Sequence, residues 1–227
     1  NALAGQTVSV LADNSATVAP TVITEPDGMV EIPVTSQTAG ISVVTASINS
    51  SSQSRDVTFI ADIRTAQIAD LVVIKDGSVA DGAMANMLRA RVTDAFGNAL
   101  AGQTVSVFAG NGATTAPTVI TEPDGTVEIS VTSQTAGTSA VTASINSSSQ
   151  SRDVTFIADV RTAKIADLVV IKDGSVADGA MANMLQVKVT DANGNVLAGQ
   201  TVSVMAGNGA TVAPTVITEP DGMVEIP

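Results

Sequence analysis

The sequence predicts an all-β fold built from tandem antiparallel two-sheet sandwiches that are arranged as an elongated rod. Three observations lead to this prediction. The 227-residue chain repeats itself with a period of 97 residues, its apolar residues alternate with polar ones at the two-residue period of strands, and Gly, Pro, Asn and Asp interrupt it about every ten residues. Short alternating strands separated by such turns are typical of a β-sandwich.

The repeat is clearest in the octapeptide TVITEPDG, which occurs at 21–28, 118–125 and 215–222. Residues 1–66 differ from 98–163 at nine positions, and residues 67–130 differ from 164–227 at ten. We therefore predict a complete repeat at 67–163, preceded by the C-terminal part of one repeat (1–66) and followed by the N-terminal part of another (164–227). The chain is expected to belong to a longer array, or to have its outer repeats completed by a neighbouring molecule.

Seven strands are predicted in the complete repeat. The clearest is 126–132, in which Val127, Ile129 and Val131 would face a core while the residues between them stay in solvent. The other six are an apolar run at 71–75 and alternating or short segments at 87–94, 104–108, 118–121, 140–145 and 153–157. Residues 83–88 contain good helix formers, but the strand pattern around them favours the β assignment.

An odd number of antiparallel strands places the start and the end of a repeat at opposite poles. Successive repeats would then follow one another end to end. The junction at 158–167 contains no Gly or Pro and is interrupted by the apolar residues Val160 and Ile165. This composition indicates a short packed joint rather than a flexible tether.

Composition argues against several classes of function. The chain has no Cys, which excludes disulfides and thiolate metal sites, and no His, the most common general base. Its net charge of −12 argues against nucleic acid as a partner. No run approaches the ~18 apolar residues of a membrane span, so no direct membrane insertion is expected. We predict no catalytic residue and no cofactor, and we do not expect an enzyme.

The two carboxylates of Glu122-Pro123-Asp124-Gly125 could be a catalytic pair, but these residue types in this order are typical of a type I β-turn. No partner base accompanies them. We interpret the segment as a turn. The serine-rich segment at 147–153 is interpreted as a solvated hairpin loop.

The segment KDGSVADGAMAN, at 75–86 and again at 172–183, leaves two alternatives open. The first is a pair of glycine turns that joins the first two strands of a repeat. The second is weak calcium binding near a domain junction, because carboxylate and amide oxygens are calcium ligands. Its spacing fits no EF-hand loop. The calcium candidates are Asp76, Asp81, Asn86, Asp173, Asp178 and Asn183.

Motifs spread over the whole chain resemble the group 1 bacterial immunoglobulin-like repeats of invasin and intimin, which are outer-membrane adhesins of the inverse autotransporter type. The matching pieces are Val92-Thr93-Asp94, Gly97-Asn98, Ala101-Gly102, Val105, Asp124-Gly125, Val131-Thr132-Ser133, Ala136-Gly137 and the stretch VTDANGNVLAGQTV at 189–202. The resemblance implies an immunoglobulin-like sandwich in the extracellular stalk of a bacterial cell-surface adhesin. The outer-membrane anchor, and any domain that binds host cell-surface or matrix molecules, would lie outside these residues.

The near identity of the copies favours a repeated length element, a structural stalk whose partners are the neighbouring repeats of the same chain. The alternative is that the repeat surface is itself a multivalent adhesive module, which binds host molecules or self-associates in biofilm. Such a module would be expected to expose an aromatic or apolar patch. Phe96 is a candidate for such a patch, although its counterpart Asn193 is polar.

Overall fold

The computed structural model describes all residues from Asn1 to Pro227 and consists of twenty strands and two 3₁₀ turns. The first copy contains β1 (Thr7–Ala12), β2 (Thr17–Val18), β3 (Thr21–Ile23), β4 (Val34–Thr35), β5 (Gly40–Ile48) and β6 (Ser51–Phe59). The middle copy contains β7 (Gln67–Lys75), β8 (Ser78–Val79), β9 (Asn86–Thr93), β10 (Thr104–Ala109), β11 (Thr114–Thr115), β12 (Thr118–Ile120), β13 (Thr126–Thr132), β14 (Gly137–Ile145) and β15 (Ser148–Ile157). The third copy contains β16 (Lys164–Lys172), β17 (Met184–Thr190), β18 (Thr201–Ser203), β19 (Thr215–Ile217) and β20 (Met223–Ile226).

The 3₁₀ turns, Ile63–Thr65 and Val160–Thr162, lie between consecutive copies. Each linker is therefore a single tight turn, in agreement with the short joint that its composition predicts. Neither helical segment has the length or the apolar character needed to span a membrane.

The middle copy is a two-sheet sandwich. One sheet has the order β12-β10-β14-β15-β8 and the other has the order β11-β13-β9-β7. All neighbouring strands are antiparallel except β15 and β8, which are parallel. The immunoglobulin-like all-β fold is thus confirmed. The seven predicted strands are all present, and β8 and β11 are additional two-residue strands.

The core between these sheets contains eighteen buried apolar residues. Val127, Ile129 and Val131 of β13 belong to it, as their alternation predicts. Phe156 is the largest fully buried side chain. Residues 83–85, which contain helix formers, are a bend and coil that lead into β9.

The outer copies have smaller sheets. In the first copy the sheets are β3-β1-β5-β6 and β2-β4, and in the third copy they are β16-β17-β20 and β18-β19. Val10 and Ser42 are the buried residues of 1–65. The third copy has a core cluster of five buried residues, compared with eighteen in the middle copy. The large core therefore belongs to the middle copy.

The Glu122–Gly125 segment is a turn, as its sequence predicts. The Gly125 N–H donates to the Glu122 carbonyl at 2.9 Å, and Asp124 Oδ1 accepts from the backbone and the hydroxyl of Thr126 at 2.9 and 2.7 Å. Gly125 has a φ of +76°, and a Cβ there would lie 2.6 Å from the Val92 carbonyl oxygen. Only glycine fits this corner, because the backbones of β9 and the turn meet at it.

The interpretation of 147–153 as a solvated loop is wrong. Only Asn146 and Ser147 form the turn, and β15 begins at Ser148. Ser148 and Gln150 are half-buried and alternate with exposed residues. Because both sides of this alternation are polar, a search for apolar periodicity does not detect the strand.

Candidate functional site: the inter-repeat junctions

The linker between the first two copies begins with a carboxylate that organises its turn. Asp62 Oδ1 accepts from Arg64 N at 3.1 Å and from Arg64 Nε at 2.9 Å. Asp159 and Arg161 repeat these contacts in the second linker, at 3.1 Å each. Both ion pairs are largely exposed on the arginine side, so they shape the linker more than they stabilise it.

A buried aspartate of the middle copy holds the first linker in place. Asp94 is 1% exposed. Its Oδ1 accepts from the N–H groups of Phe96 and Asn98 at 2.9 and 3.0 Å, which closes the turn after β9. Its Oδ2 accepts from the Asn98 amide at 2.8 Å and from the Asp62 N–H at 3.1 Å. One carboxylate thus joins its own loop to the linker.

The side-chain amide of Asn98 forms hydrogen bonds with the preceding copy. Asn98 Oδ1 accepts from the Ala39 N–H at 2.8 Å, and Asn98 Nδ2 donates to the Gln37 carbonyl at 2.9 Å. Like a backbone peptide group, this side-chain amide accepts one hydrogen bond from the loop between β4 and β5 and donates another to it. We call Asp94–Asn98, and its counterpart Asp191–Asn195, the junction turns.

The second junction turn reproduces the first. Asp191 Oδ2 accepts from the Asp159 N–H at 3.1 Å and from Asn195 Nδ2 at 2.8 Å. Asn195 bonds the preceding copy through the Ala136 N–H at 2.7 Å and the Gln134 carbonyl at 3.0 Å. The same five-residue turn therefore joins both pairs of consecutive copies in the same way.

The two junctions differ at the middle of the turn. Asn193 Nδ2 donates to the Ala80 carbonyl of the preceding copy at 2.8 Å. Its counterpart Phe96 is 61% exposed and lines a cleft together with Phe59 and Ile60. The exposed aromatic residue that the sequence suggests as a binding patch therefore lies at the joint between two copies.

The environment keeps the aspartates of the junction turns ionised. Burial alone would raise the pKa of Asp94, but hydrogen bonds from the Asn98 side chain and from three backbone N–H groups outweigh it and hold the pKa below its usual range. The equivalent donors have the same effect on the pKa of Asp191. The charged carboxylate is the form that can accept all of these hydrogen bonds.

The calcium candidates of the middle copy are engaged by the backbone. Asp76 Oδ1 accepts from the Thr155 N–H at 2.6 Å, and Asp81 Oδ1 accepts from two N–H groups of its own turn at 2.8 and 2.7 Å. Asn86 is fully buried, accepts from Ser78 N and donates to the Thr155 carbonyl, both at 2.9 Å. The structure thus brings Asp76 and Asn86 to one residue of β15, while Asp81 caps a separate turn.

The side chains of the candidates in the third copy bond only within their own segment. Asp173 accepts from the Gly174 N–H at 2.8 Å, and Asn183 accepts from the Ser175 N–H at 2.9 Å. Asp178 accepts from two N–H groups of its own turn, both at 2.9 Å. No three His, Cys, Asp or Glu side chains in the chain form a group that could hold a metal ion. Weak calcium binding at these loops stays an untested alternative to the glycine turns.

Fold and junctions together define a class of protein: tandem immunoglobulin-like sandwiches joined by repeated side-chain contacts. The model of the bacterial Ig-like domain (group 1) matches residues 1–60, 68–157 and 165–227. The chain belongs to this family. Its resemblance to the repeats of the invasin and intimin group is confirmed.

The relatives are adhesins. The inverse autotransporter adhesin YeeJ of Escherichia coli (strain K12) is 35% identical over 219 residues, which are 90% of this chain and 9% of YeeJ. The chain therefore spans a small part of the length of this relative. Both the family and the relatives associate the chain with adhesins and point to a non-enzymatic protein.

Two solved structures share the fold. Invasin, described as a bacterial integrin-binding protein, has a TM-score of 0.52 at 24% identity, over 99% of this chain and 47% of that one. InvD of Yersinia pseudotuberculosis has a TM-score of 0.57 at 15% identity, over 86% of this chain and 62% of that one. At these identities, the likeness concerns the fold alone.

Proposed function

We propose that this chain is part of the structural stalk of a bacterial cell-surface adhesin, a spacer that projects a distal binding domain from the outer membrane. The observation that carries the proposal is the repetition of the junction turn. Asp94 and Asn98 bond both the linker and the preceding copy, and Asp191 and Asn195 do the same one repeat later. A joint made of several directed hydrogen bonds fixes the angle between copies, which a spacer requires.

The path of the chain through the middle copy supports this function. Its entry at Ala66 is bonded by Asn146, and its exit at Ile157 is bonded by Ala80. These contacts are at opposite ends of β15, so the chain enters at one pole and leaves at the other. Each further copy would add a fixed increment of reach, very roughly 35–45 Å for strands of this length with their loops.

Anchoring and receptor binding belong to the proposal as roles of other regions. YeeJ is an adhesin more than ten times the length matched here. We place the outer-membrane anchor and any contact with host cell-surface or matrix molecules outside these 227 residues. The neighbouring repeats are the partners of this part, at the extracellular face of the bacterium.

Small-angle scattering tests whether the junctions are rigid. The double variant Asn98→Ala/Asn195→Ala removes the amide from both junction turns, so we expect a smaller mean radius of gyration and a broader distance distribution than in the unmodified chain. The matched control is Gln103→Ala/Gln200→Ala, which removes two amides that bond only within their own loops. The end-to-end distance of a flexible chain grows with about the square root of its length, so flexible joints would make the chain more compact than a rod. Unchanged dimensions in the first variant would contradict the proposed role of the junction turn.

One observation favours the alternative of an adhesive repeat surface. Ile23, Ile120 and Ile217 are 63–64% exposed at equivalent positions in the three copies. Binding assays of the 227-residue chain on host cells, matrix proteins and immobilised copies of itself distinguish the two functions. A stalk gives no saturable binding. Saturable binding that is lost in the variant Ile23→Ser/Ile120→Ser/Ile217→Ser would establish the adhesive module instead.

A further inference from the structure

The first segment of the middle copy, residues 66–80, runs beside its last strand, β15, in the same direction. β8 pairs with β15 in parallel, with Phe156 opposite Ser78 and Ile157 opposite Val79. β7 belongs to the other sheet, but the side chains of Ser148 and Gln150 bond its backbone. The segment 66–80 is therefore hydrogen-bonded to β15, and to the turn before it, along the length of the sandwich.

The first group of bonds between these strands lies at the entry pole. Asn146 Nδ2 donates to the Ala66 carbonyl at 3.1 Å. Ser148 Oγ accepts from the Ile68 N–H at 3.0 Å. Gln150 Nε2 lies 3.1 Å from the Ile68 carbonyl oxygen and 3.3 Å from the next one along the chain. Ser148 and Gln150 belong to the segment 147–153, which the sequence suggests is a solvated loop.

The second group lies at the exit pole and centres on Thr155. Its N–H donates to Asp76 Oδ1 at 2.6 Å, and its carbonyl accepts from the Gly77 N–H at 3.1 Å and from Asn86 Nδ2 at 2.9 Å. The Ala80 N–H donates to the Ile157 carbonyl at 2.8 Å. Two residues that the sequence offers as calcium ligands are thus engaged in holding the last strand.

We propose that these two groups of bonds form a terminal-strand clamp, made of residues 66–80 and 86 with residues 146–157, that resists tension along the rod. Tension on a stalk pulls residue 66 away from one pole and residue 157 away from the other. Residues 66–80 and β15 then slide past one another, so that the bonds of the clamp share the force. Antiparallel strands pulled apart from one end would break their bonds one after another.

The function gained is mechanical: a complete repeat keeps its length while the adhesin is pulled. This proposal takes its biological purpose from the proposed stalk, but its test measures force on the purified chain and needs no adhesion. Failure of the stalk proposal would leave a clamp without an assigned use. Failure of the clamp would leave a stalk with mechanically weak repeats.

Each outer copy contains one side of the clamp without the other and therefore serves as an internal control. The first copy has Asn49, Ser51 and Gln53, which correspond to the β15 side of the clamp, and the third copy has Asp173 and Asn183, which correspond to the other side. Within the 227 residues, only the middle copy contains both sides. The residues whose side chains form the clamp, Asp76, Asn86, Asn146, Ser148 and Gln150, therefore each have an identical counterpart with no clamp partner.

Single-molecule pulling of the 227-residue chain by its two ends tests the proposal. We expect one high-force event that lengthens the chain by about 300 Å, the extended length of a repeat minus its folded length. Forced unfolding reports the unfolding rate rather than the equilibrium stability. Ser148→Ala/Gln150→Ala and Asn86→Ala should each remove the high-force event. The matched controls, Ser51→Ala/Gln53→Ala and Asn183→Ala, should leave it unchanged.

Changing the direction of pulling separates the clamp from general stability. The chain has no Cys, so handles can be attached at Ala83→Cys and Val160→Cys, two exposed positions at the exit pole. Force between them opens the clamp from one end, so we expect unfolding at markedly lower force than with end-to-end pulling. Equal forces in the two directions, or equal effects of the middle-copy variants and their controls, would overturn the proposal. The direction test uses the intact clamp, so it decides the question even if Asn86→Ala does not fold.

Discussion

Strands β7 and β16 have almost the same sequence in very different surroundings. They differ only at their first residue, Gln67 against Lys164. β7 pairs with β9 and β16 pairs with β17 in the same register, and the two irregularities fall at equivalent positions. Yet Leu71 is fully buried, whereas Leu168 is 54% exposed. Identical strand pairing therefore coexists with opposite burial.

The comparison shows that a segment's own sequence sets its strand pairing, whereas the sheet that packs against it sets the burial of its side chains. The hairpin β14–β15 faces β7 across the core, and residues 164–227 contain no equivalent hairpin. Local sequence is enough to set the β16–β17 register, because alternation and turns act over a few residues. The hydrophobic contribution to stability depends on the area that a second sheet covers.

The largest expected effect is a difference between two identical substitutions. Leu71→Ala should lower the free energy of unfolding of the middle copy by about 2–5 kcal/mol, as is usual for a fully buried leucine. Leu168→Ala should cost no more than about 0.5 kcal/mol, because little packing is lost at an exposed position. Native-state hydrogen exchange of amides in β9 and β17 measures the two copies separately. Equal losses would show that β16 is covered in solution.

Substitution of the buried aspartates of the junction turns should instead have equal effects, because the hydrogen-bond donors to Asp94 and Asp191 are the same in both places. Asp94→Ala leaves several N–H groups without their acceptor and should cost the middle copy about 1–3 kcal/mol. Asp191→Ala should cost the third copy a similar amount. Hydrogen exchange at the linker amides of Asp62 and Asp159 measures the two effects. A loss at only one of the two sites would mean that the junctions are not equivalent.

A smaller effect is expected from pH. The pKa values of Asp94 and Asp191 are lowered in the folded chain. Their contribution to stability is therefore fully present above the unfolded-state pKa of about 3.9 and is lost as the pH falls below it, through the lowered folded-state values.

Urea denaturation at a series of pH values from about 6 to 2 measures this contribution. The unmodified chain should lose more stability on acidification than Asp94→Asn/Asp191→Asn, which has no carboxylate to protonate at the junction turns. The double variant should already be less stable at neutral pH. Identical pH dependence in the two chains would contradict a role for these carboxylates.

The smallest effect is expected from calcium. If Asp76, Asp81 and Asn86 organise loops, as their hydrogen bonds indicate, the melting temperature should be the same with excess calcium and with chelator. A ligand of the folded state at a hundredfold excess over its Kd would add about 2.7 kcal/mol, which shifts a domain of this size by about ten degrees or more. A shift of that size would reassign these residues as ligands.

Apolar periodicity predicted most of the fold. Val127, Ile129 and Val131 are buried as expected, and the Pro123-Asp124-Gly125 corner is a turn. The two-residue strands β8 and β11 could not be predicted, because no period can be read from two residues. The start of β15 was missed because Ser148 and Gln150 use polar side chains to bond a neighbouring strand.

The junction was the least predictable part of the candidate site. Asp94 and Asn98 stood out only through a family resemblance, which gives no role to either residue. Their partners Ala39 and Gln37 lie about sixty positions away in loops without any apolar pattern. The signal that could have revealed them is the recurrence of Asp and Asn four residues apart around a glycine, immediately after a strand in two copies.

The bonds of Asn98 to Ala39 and Gln37 have a consequence for how an array of copies would fold. A repeat that offers its junction turn to a folded neighbour gains stability which the same repeat alone does not have. Stability then becomes a sum of intrinsic terms and nearest-neighbour terms, as in a one-dimensional chain of coupled units. Copies inside an array would be held from both sides, so unravelling would begin at the ends and progress inward.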